Sequence, residues 1–242
     1  MAAEVKGENR KDLIIAIDGP AGAGKSTVAR SLSRRLHLPY LDTGAMYRAL
    51  TLKALRQRLD LEDGPGLAEM ARGTDMRGEY RRGMRPPYRF FLDGEDVTAA
   101  IRSREVSAHV SQVSSHPEVR REMVRKQRAC AQEGGLVAEG RDVGTVVFPR
   151  ADFKFFITAS LKERARRRYR EMRREGYPVT LKAVEQEMLR RDHLDSTRKV
   201  NPLRRAPDAV VIDTTGMSVS QVVSEILGVV GSGREETRVP RR

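Results

Sequence analysis

Hydrophobic positions along this chain follow two alternating rhythms. Largely apolar runs at Leu13-Ile14-Ile15-Ala16-Ile17, Leu38-Pro39-Tyr40-Leu41-Asp42, Leu136-Val137-Ala138, Phe153 to Thr158 and Ala209-Val210-Val211-Ile212-Asp213 have the length of buried strands. Between them, apolar residues recur at the spacing of one helix face. These are Val28, Leu32 and Leu36; Met46, Leu50, Ala54 and Leu55, running to about Arg58; and Ile101, Val106, Val110 and Val113, up to His116-Pro117. A further helix carries Val119, Met123 and Val124 to Glu133, where Gly134-Gly135 stops it, and a closing one carries Val219, Val222, Val223, Ile226 and Val230. Strands alternating with helices predict an α/β fold: a five-stranded parallel sheet, doubly wound and flanked by helices.

Two stretches break the alternation. From Asp60 to Thr98 the helical period is lost and glycine and proline gather, as in Gly64-Pro65-Gly66 and Arg85-Pro86-Pro87. Within it, Tyr88-Arg89-Phe90-Phe91-Leu92, Asp93-Gly94 and Glu95-Asp96-Val97 predict a hairpin with a tight Asp-Gly turn, and Phe90, Phe91 and Leu92 require burial. The second break comes between the last two strands, where two arginine-rich helical patterns are joined by Glu175-Gly176-Tyr177-Pro178. The organisation expected is a core of residues 12–48, 116–160 and 199–230, a β-containing insert at 49–115, an arginine-rich helical segment at 161–198, and flexible tails at 1–11 and 231–242. Neither an internal repeat nor a second folded domain is visible.

The first strand runs directly into Gly19-Pro20-Ala21-Gly22-Ala23-Gly24-Lys25-Ser26, then Thr27 and a helix. This is G-x-x-x-x-G-K-[ST] between a buried strand and a helix, the context in which the pattern forms a phosphate-binding loop (P-loop) rather than an idle glycine-rich turn. Glycines let successive backbone N–H groups point at phosphate oxygens, and the helix adds its positive end. Lys25 would bridge the β- and γ-phosphates as a point charge, and the Ser26 hydroxyl would ligate Mg²⁺. Another strand delivers Glu139-Gly140-Arg141-Asp142 at its carboxyl end, the edge at which open α/β sheets bind ligands.

Composition narrows the possibilities. The chain has 242 residues, no tryptophan and few aromatics, so its core rests on Leu, Ile, Val, Ala and Met. No apolar run approaches membrane-spanning length and no apolar signal region opens the chain, so the expected protein is soluble and cytoplasmic. The single cysteine, Cys130, excludes an intrachain disulfide and is expected as a small apolar residue on a helix; His37, His109, His116 and His193 lack metal-ligand spacing. Net charge is +13, and residues 161–200 hold thirteen Lys+Arg against seven Asp+Glu, about half of the excess. An arginine cluster beside a phosphate loop reads as a clamp for nucleotide phosphates, although a solvated helix face accounts for some of these residues.

A phosphate loop reading GPAGAGKST, followed about twenty residues later by Leu41-Asp42-Thr43-Gly44-Ala45-Met46-Tyr47-Arg48, resembles the bacterial cytidylate kinases, within the nucleoside monophosphate kinases. The resemblance extends from about Asp12 to Val230, and implies that the insert at 49–115 binds the nucleoside monophosphate and that the helices at 161–198 form a lid. Its most specific parts are LDTGAMYR, the Ser111-Gln112-Val113 segment with Arg120, EGRDVGTVVFP and Arg191-Asp192-His193-Leu194-Asp195-Ser196-Thr197-Arg198. It implies that Arg48, Arg141 and Arg198 hold the acceptor monophosphate, with the Thr43 hydroxyl and Tyr47 in the same site. Ser111, Arg120 and Asp142 would read cytosine, an Asp and a Ser taking the N4 hydrogens while Arg donates to the ring acceptors. Arg191 and Asp195 would contact the sugar. Arg164, Arg167 and Arg168 line up with lid arginines that close over the ATP phosphates, Arg167 being the favoured catalytic residue beside Lys25, Arg141 and Arg198. Glu139 is open to two readings, water-mediated support of Mg²⁺ or a structural carboxylate at a strand end.

The expected activity is therefore phosphoryl transfer from Mg²⁺-ATP to CMP and dCMP by a monomer with no membrane and no stable nucleic-acid partner. A kinase of UMP or AMP is the nearest alternative, opposed by the cytosine set. A basic nucleic-acid-binding P-loop protein is the alternative of another class, motivated by net charge and opposed by the scarcity of aromatic stacking platforms.

Overall fold

A computed structural model describes residues 12–80, 87–131 and 134–237. The main sheet contains β1 (Ile14–Asp18), β2 (Tyr40–Asp42), β6 (Leu136–Gly140), β7 (Phe153–Thr158) and β8 (Val210–Asp213), in the order β2-β6-β1-β7-β8. Every pairing is parallel, with Ile15 opposite both Val137 and Phe153. Central β1 is covered on both faces, Ile15, Ala16 and Ile17 being fully buried, which is why the run is apolar at every position.

Helix α1 (Lys25–Leu36) follows the loop after β1 and buries Val28, Ala29, Leu32 and Leu36 against β6 and the closing helix α8 (Val219–Thr237). Each such leucine or valine, fully buried, stabilises the fold by about 1.5–3 kcal/mol. Helix α2 (Thr43–Arg56) starts directly after β2, and the Asp42 carboxylate caps it by accepting from Ala45 N–H at 2.8 Å. That tight junction keeps Thr43, Tyr47 and Arg48 at the carboxyl edge of the sheet. Helix α8 continues to Thr237, into the segment expected to be a flexible tail; residues 1–11 and 238–242 lie outside the described residues.

The segment 60–98 differs from expectation in two ways. Gly64-Pro65-Gly66, expected as a loop, opens a helix, α3 (Gly64–Arg72): Asp63 accepts from Gly66 N–H at 3.0 Å and proline occupies the first turn, where it forfeits no hydrogen bond. Its apolar face of Leu67, Ala68 and Ala71 packs on α5 (Pro117–Ala129). The hairpin at Asp93-Gly94 is present as β4 (Tyr88–Leu92) and β5 (Glu95–Asp96), with a third antiparallel strand, β3 (Met76–Tyr80), added on the other side of β4. Phe90, Phe91 and Leu92 are buried. This small sheet docks on β2 through an edge-to-face contact of Tyr88 with Tyr40, centroids 4.7 Å apart.

Ile101 belongs to a separate 3-10 turn ahead of α4 (Arg104–Val113), which Ser103 caps at 3.2 Å from Val106 N–H. Helix α5 ends at Ala129, short of Glu133, and Cys130, expected as a small apolar residue on the helix, caps its end and is exposed. The two arginine-rich helices are α6 (Leu161–Arg174) and α7 (Leu181–Thr197), which share a core of their own: Ala165, Met172, Val184 and Met188.

Candidate active site

The loop between β1 and α1 is built for phosphate. Gly24 caps α1 with φ 95° and contributes no side chain, so the N–H groups of the first turn stay open to an anion. Gly19 carries φ 149°, and a Cβ there would lie 1.9 Å from the Ile157 carbonyl oxygen on β7. Lys25 is buried and donates its ammonium to the Pro20 carbonyl at 2.8 Å, across the mouth of the loop. Burial, then the Arg141 charge, pushes its pKa down to about 7.

Beside Lys25 stands Glu139, near the end of β6. Its carboxylate accepts from the Tyr40 hydroxyl at 3.0 Å and has the Ser26 hydroxyl beside it, while its backbone carbonyl accepts from the Thr43 hydroxyl at 2.7 Å. Burial and then Asp42 push the Glu139 pKa up, against the pull of Lys25. The Ser26 hydroxyl and the Glu139 carboxylate thus form an oxygen pair at the phosphate loop, suited to a hard cation whose remaining ligands are phosphate oxygens and water. Among the described residues no cluster of three or more His, Cys, Asp or Glu could hold a metal with protein groups alone.

A cleft of about 490 Å³ opens from the loop and is lined by Gly22, Gly24, Lys25, Ser26 and Thr27, with Arg48, Arg141, Arg167, Arg168 and Arg191 around it. A smaller hollow, of about 60 Å³, joins it at Gly44, Arg141 and Arg191, which line both. There the residues expected to read an acceptor converge from separate elements. Thr43 and Tyr47 come from α2, Ser111 from α4 and Arg120 from α5; Arg141 and Asp142 follow β6, and Asp195 and Arg198 end α7. Arg48 instead lines the larger cleft and donates to Ile101 O at 3.2 Å and Ser107 Oγ at 2.9 Å.

The wall of the hollow is a network of fixed charges. Arg120, 1% exposed, donates to Asp142 at 2.6 Å and to Ser114 O at 3.0 Å, with its guanidinium 5.1 Å from the centre of the Tyr47 ring. Burial works against its charge, but Tyr47 and Asp142 outweigh burial and raise its pKa. Arg141 donates to Asp195 at 2.8 Å, and Arg198 stands 3.7 Å from Asp142 and 3.9 Å from Asp195. Burial and the neighbouring Arg141 depress Arg191; burial and Arg120 depress Arg198. Arg120 Nε, Arg191 Nε and Arg198 Nη2 are buried without a hydrogen-bond partner, leaving donor capacity that an anionic, acceptor-rich ligand satisfies.

The three arginines expected to close over ATP have different surroundings. Arg164 is buried and donates to Ala159 O, Ala21 O and Asp192, bracing α6 against the phosphate loop and α7. Arg167 lines the cleft but is held by Glu163 and by Thr214 O at 2.7 Å and Thr214 Oγ1 at 3.0 Å. Arg168 lines the cleft and is held by Glu171 of its own helix, at 2.7 Å. One polar residue not anticipated from sequence is Asp18, 4% exposed at the end of β1.

A five-stranded parallel sheet with a phosphate loop after its first strand, opening into an arginine-lined cleft with a second hollow beside it, defines a P-loop kinase. A solved gluconokinase from Sinorhizobium meliloti shares the fold, with a TM-score of 0.50 at 12% identity over 97% of this chain and 100% of that one. The family model for cytidylate kinase matches residues 15–232, and the chain belongs to the cytidylate kinase family. It is 53% identical to a cytidylate kinase of Symbiobacterium thermophilum over 91% of this chain and 96% of that protein. Against a cytidylate kinase of Carboxydothermus hydrogenoformans it is 48% identical over 90% and 96% respectively.

Proposed function

We propose that this chain transfers the γ-phosphoryl group of Mg²⁺-ATP to CMP and to dCMP. The observation that carries the reading is the buried Arg120–Asp142 pair, with Ser111, in a hollow continuous with the phosphate-loop cleft. Cytosine offers N4 hydrogens to Asp142 and Ser111 and ring acceptors to Arg120; uracil would set its O4 against the carboxylate and leave buried acceptors unpaired. Asp195 is already paired with Arg141, so a missing 2′-hydroxyl leaves no buried carboxylate unsatisfied, which supports acceptance of the deoxy substrate.

The chemistry needs no general base, because the acceptor phosphate, with a second pKa of about 6, is a dianion at neutral pH. An oxygen of that phosphate attacks the γ-phosphorus in line. The new P–O bond forms as the bond to the β,γ-bridging oxygen breaks, and ADP leaves with that electron pair. Lys25 and the N–H groups opening α1 hold the donor phosphates, while Arg48, Arg141 and Arg198 hold the acceptor phosphate beside Thr43 and Tyr47. Arg191 and Asp195 orient the sugar. Ser26 and Glu139 would hold Mg²⁺ with the donor phosphates, and the bound ion neutralises β- and γ-phosphate charge. Arg168 is assigned to the transferring group in preference to Arg167, since Arg167 braces α6 on Thr214. Helices α6 and α7 then act as the lid, excluding water as they close. All of these groups come from one chain, so the reading requires no second copy.

A coupled assay of ADP release with Mg²⁺-ATP against CMP, dCMP, UMP, AMP and no acceptor tests the proposal. Fast turnover confined to the cytidine monophosphates is expected. Equal turnover of UMP would overturn the base-site assignment and leave the donor site standing. ADP release independent of acceptor, with retained binding of single-stranded polynucleotide, would overturn the kinase reading.

A further inference from the structure

The buried carboxylate of Asp18 is assigned no role above, yet it holds the main chain just after Asp142, a residue that lines the hollow. It closes β1 immediately before Gly19, where an apolar strand hands over to the phosphate loop. Its two oxygens accept separately from Val143 N–H at 2.8 Å and Gly144 N–H at 2.7 Å, the two residues after Asp142. Those residues begin a single π-helical turn, Val143–Val147, capped by Asp142, whose carbonyl accepts from Val146 N–H at 2.9 Å and Val147 N–H at 3.2 Å. Asp142 is thus held through its main chain on one side, with its side chain against Arg120 on the other. The approach is close: a Cβ on Gly144 would stand 3.3 Å from Asp18 Oδ2 and 3.2 Å from Lys154 Cδ.

We infer that Asp18 is a positioning residue for base selection: by gripping the Val143 and Gly144 amides it aims the Asp142 carboxylate at the Watson–Crick edge of the acceptor base. This rests on the assignment of Asp142 to the base. Two buried N–H donors demand an acceptor on each side, and a carboxylate is the one side chain that supplies both at this separation. An asparagine offers an oxygen to one amide and presents its own N–H₂ to the other, so the turn shifts and Asp142 shifts with it. A side chain that merely filled space at the end of β1 would leave the choice between cytosine and uracil untouched.

The test compares kcat/KM for CMP and UMP, the KM for ATP and the melting temperature in four proteins: wild type, Asp18→Asn, Asp142→Asn and the double variant. Asp18→Asn is expected to lower the CMP-to-UMP ratio about tenfold; a change in the ATP KM, through the charge that Asp18 sets against Lys25, is common to both acceptors and leaves the ratio unmoved. The double variant should discriminate no worse than Asp142→Asn alone, because both changes act on one contact. Gly144→Ala crowds the same contact from the other side and should shift the ratio in the same direction if Asp18→Asn proves too unstable to assay. A lower melting temperature with an unchanged ratio, or effects of the two variants that multiply, would overturn the inference and leave the base site intact. An unchanged ratio in Asp142→Asn would overturn the base-site reading and this inference with it.

Discussion

Arg120 and Asp142 meet at 2.6 Å in the buried wall of the acceptor hollow, one reaching in from α5 and the other from the turn after β6. Removing either partner outright strands a buried charge at a cost of about 3–5 kcal/mol, so loss of folding would mask loss of recognition. Asp142→Asn keeps the shape while exchanging an acceptor for a donor. It is expected to lower kcat/KM for CMP about 100-fold while the ATP KM stays within about twofold. Steady-state kinetics with each substrate varied in turn check this, and equal losses for both substrates would count against a base-reading role.

Lys25 should make ATP binding pH-dependent. Burial, with Arg141 adding to it, holds its pKa at about 7, and phosphate oxygens beside it raise that value again. At pH 8 the lysine is mostly neutral before ATP arrives and charged afterwards; at pH 6 it is charged throughout. Binding therefore takes up about one proton at pH 8 and close to none at pH 6, and affinity weakens as pH rises above 7. Calorimetry in two buffers of different ionisation enthalpy measures the uptake. Lys25→Met should abolish it; uptake that survived in that variant would belong to another group, Glu139 first among them.

Two loop glycines should fail differently when replaced by alanine. At Gly19 the new Cβ meets the Ile157 carbonyl oxygen at 1.9 Å, so Gly19→Ala pushes β1 and β7 apart and should cost more than about 3 kcal/mol. The melting temperature is then expected to fall by about 6–12 °C. At Gly24 there is room, the nearest heavy atom being Arg167 Nη1 at 3.8 Å, but φ 95° is strained for any side chain. Gly24→Ala should therefore cost stability only about 1–2 kcal/mol, with the larger effect a raised ATP KM.

Arg167 and Arg168 should separate in kinetics. Arg168→Ala is expected to lower kcat about 10- to 100-fold with little change in the ATP KM, the signature of a contact made in the transition state. Arg167→Ala removes the brace on Thr214 and should raise the ATP KM and lower the melting temperature more than it lowers kcat. The reverse pattern would return the catalytic role to Arg167.

The main sheet was legible in the sequence because its strands are buried on both faces, and unbroken apolar runs such as Leu13 to Ile17 have few other uses. Helix α3 was hidden by its own start signal: the glycines and proline of Gly64-Pro65-Gly66 read as breakers unless Asp63 is seen to cap them. Strand β3 was hidden by Gly78, which is small because the Tyr88 side chain occupies the space its Cβ would take. In the site, the phosphate loop is contiguous and announces itself, whereas Ser111, Arg120 and Asp142 lie on three elements and came only through the family resemblance. No spacing rule separates Arg164, Arg167 and Arg168, because what divides them is the company each keeps around the helix. Asp18 did leave a signal, a charge ending an apolar strand just before a glycine loop.

The central place of β1 dictates when this protein can fold. Its partners are β6 and β7, so Ile14–Asp18 pair with Leu136–Gly140, and Ile15 to Asp18 with Phe153 to Phe156, about half the chain away. During synthesis the first strand is made with no neighbour, stays without one until β6 is complete at Gly140, and gains its second only with β7, which ends at Thr158. The stretch from Thr43 to Ala129, with its three-stranded sheet and the helices around it, has partners close in sequence and can gather first. Loop closure over such separations makes long-range parallel pairing slow, and an apolar strand left unpaired in a nascent chain is a surface for chaperones or for aggregation.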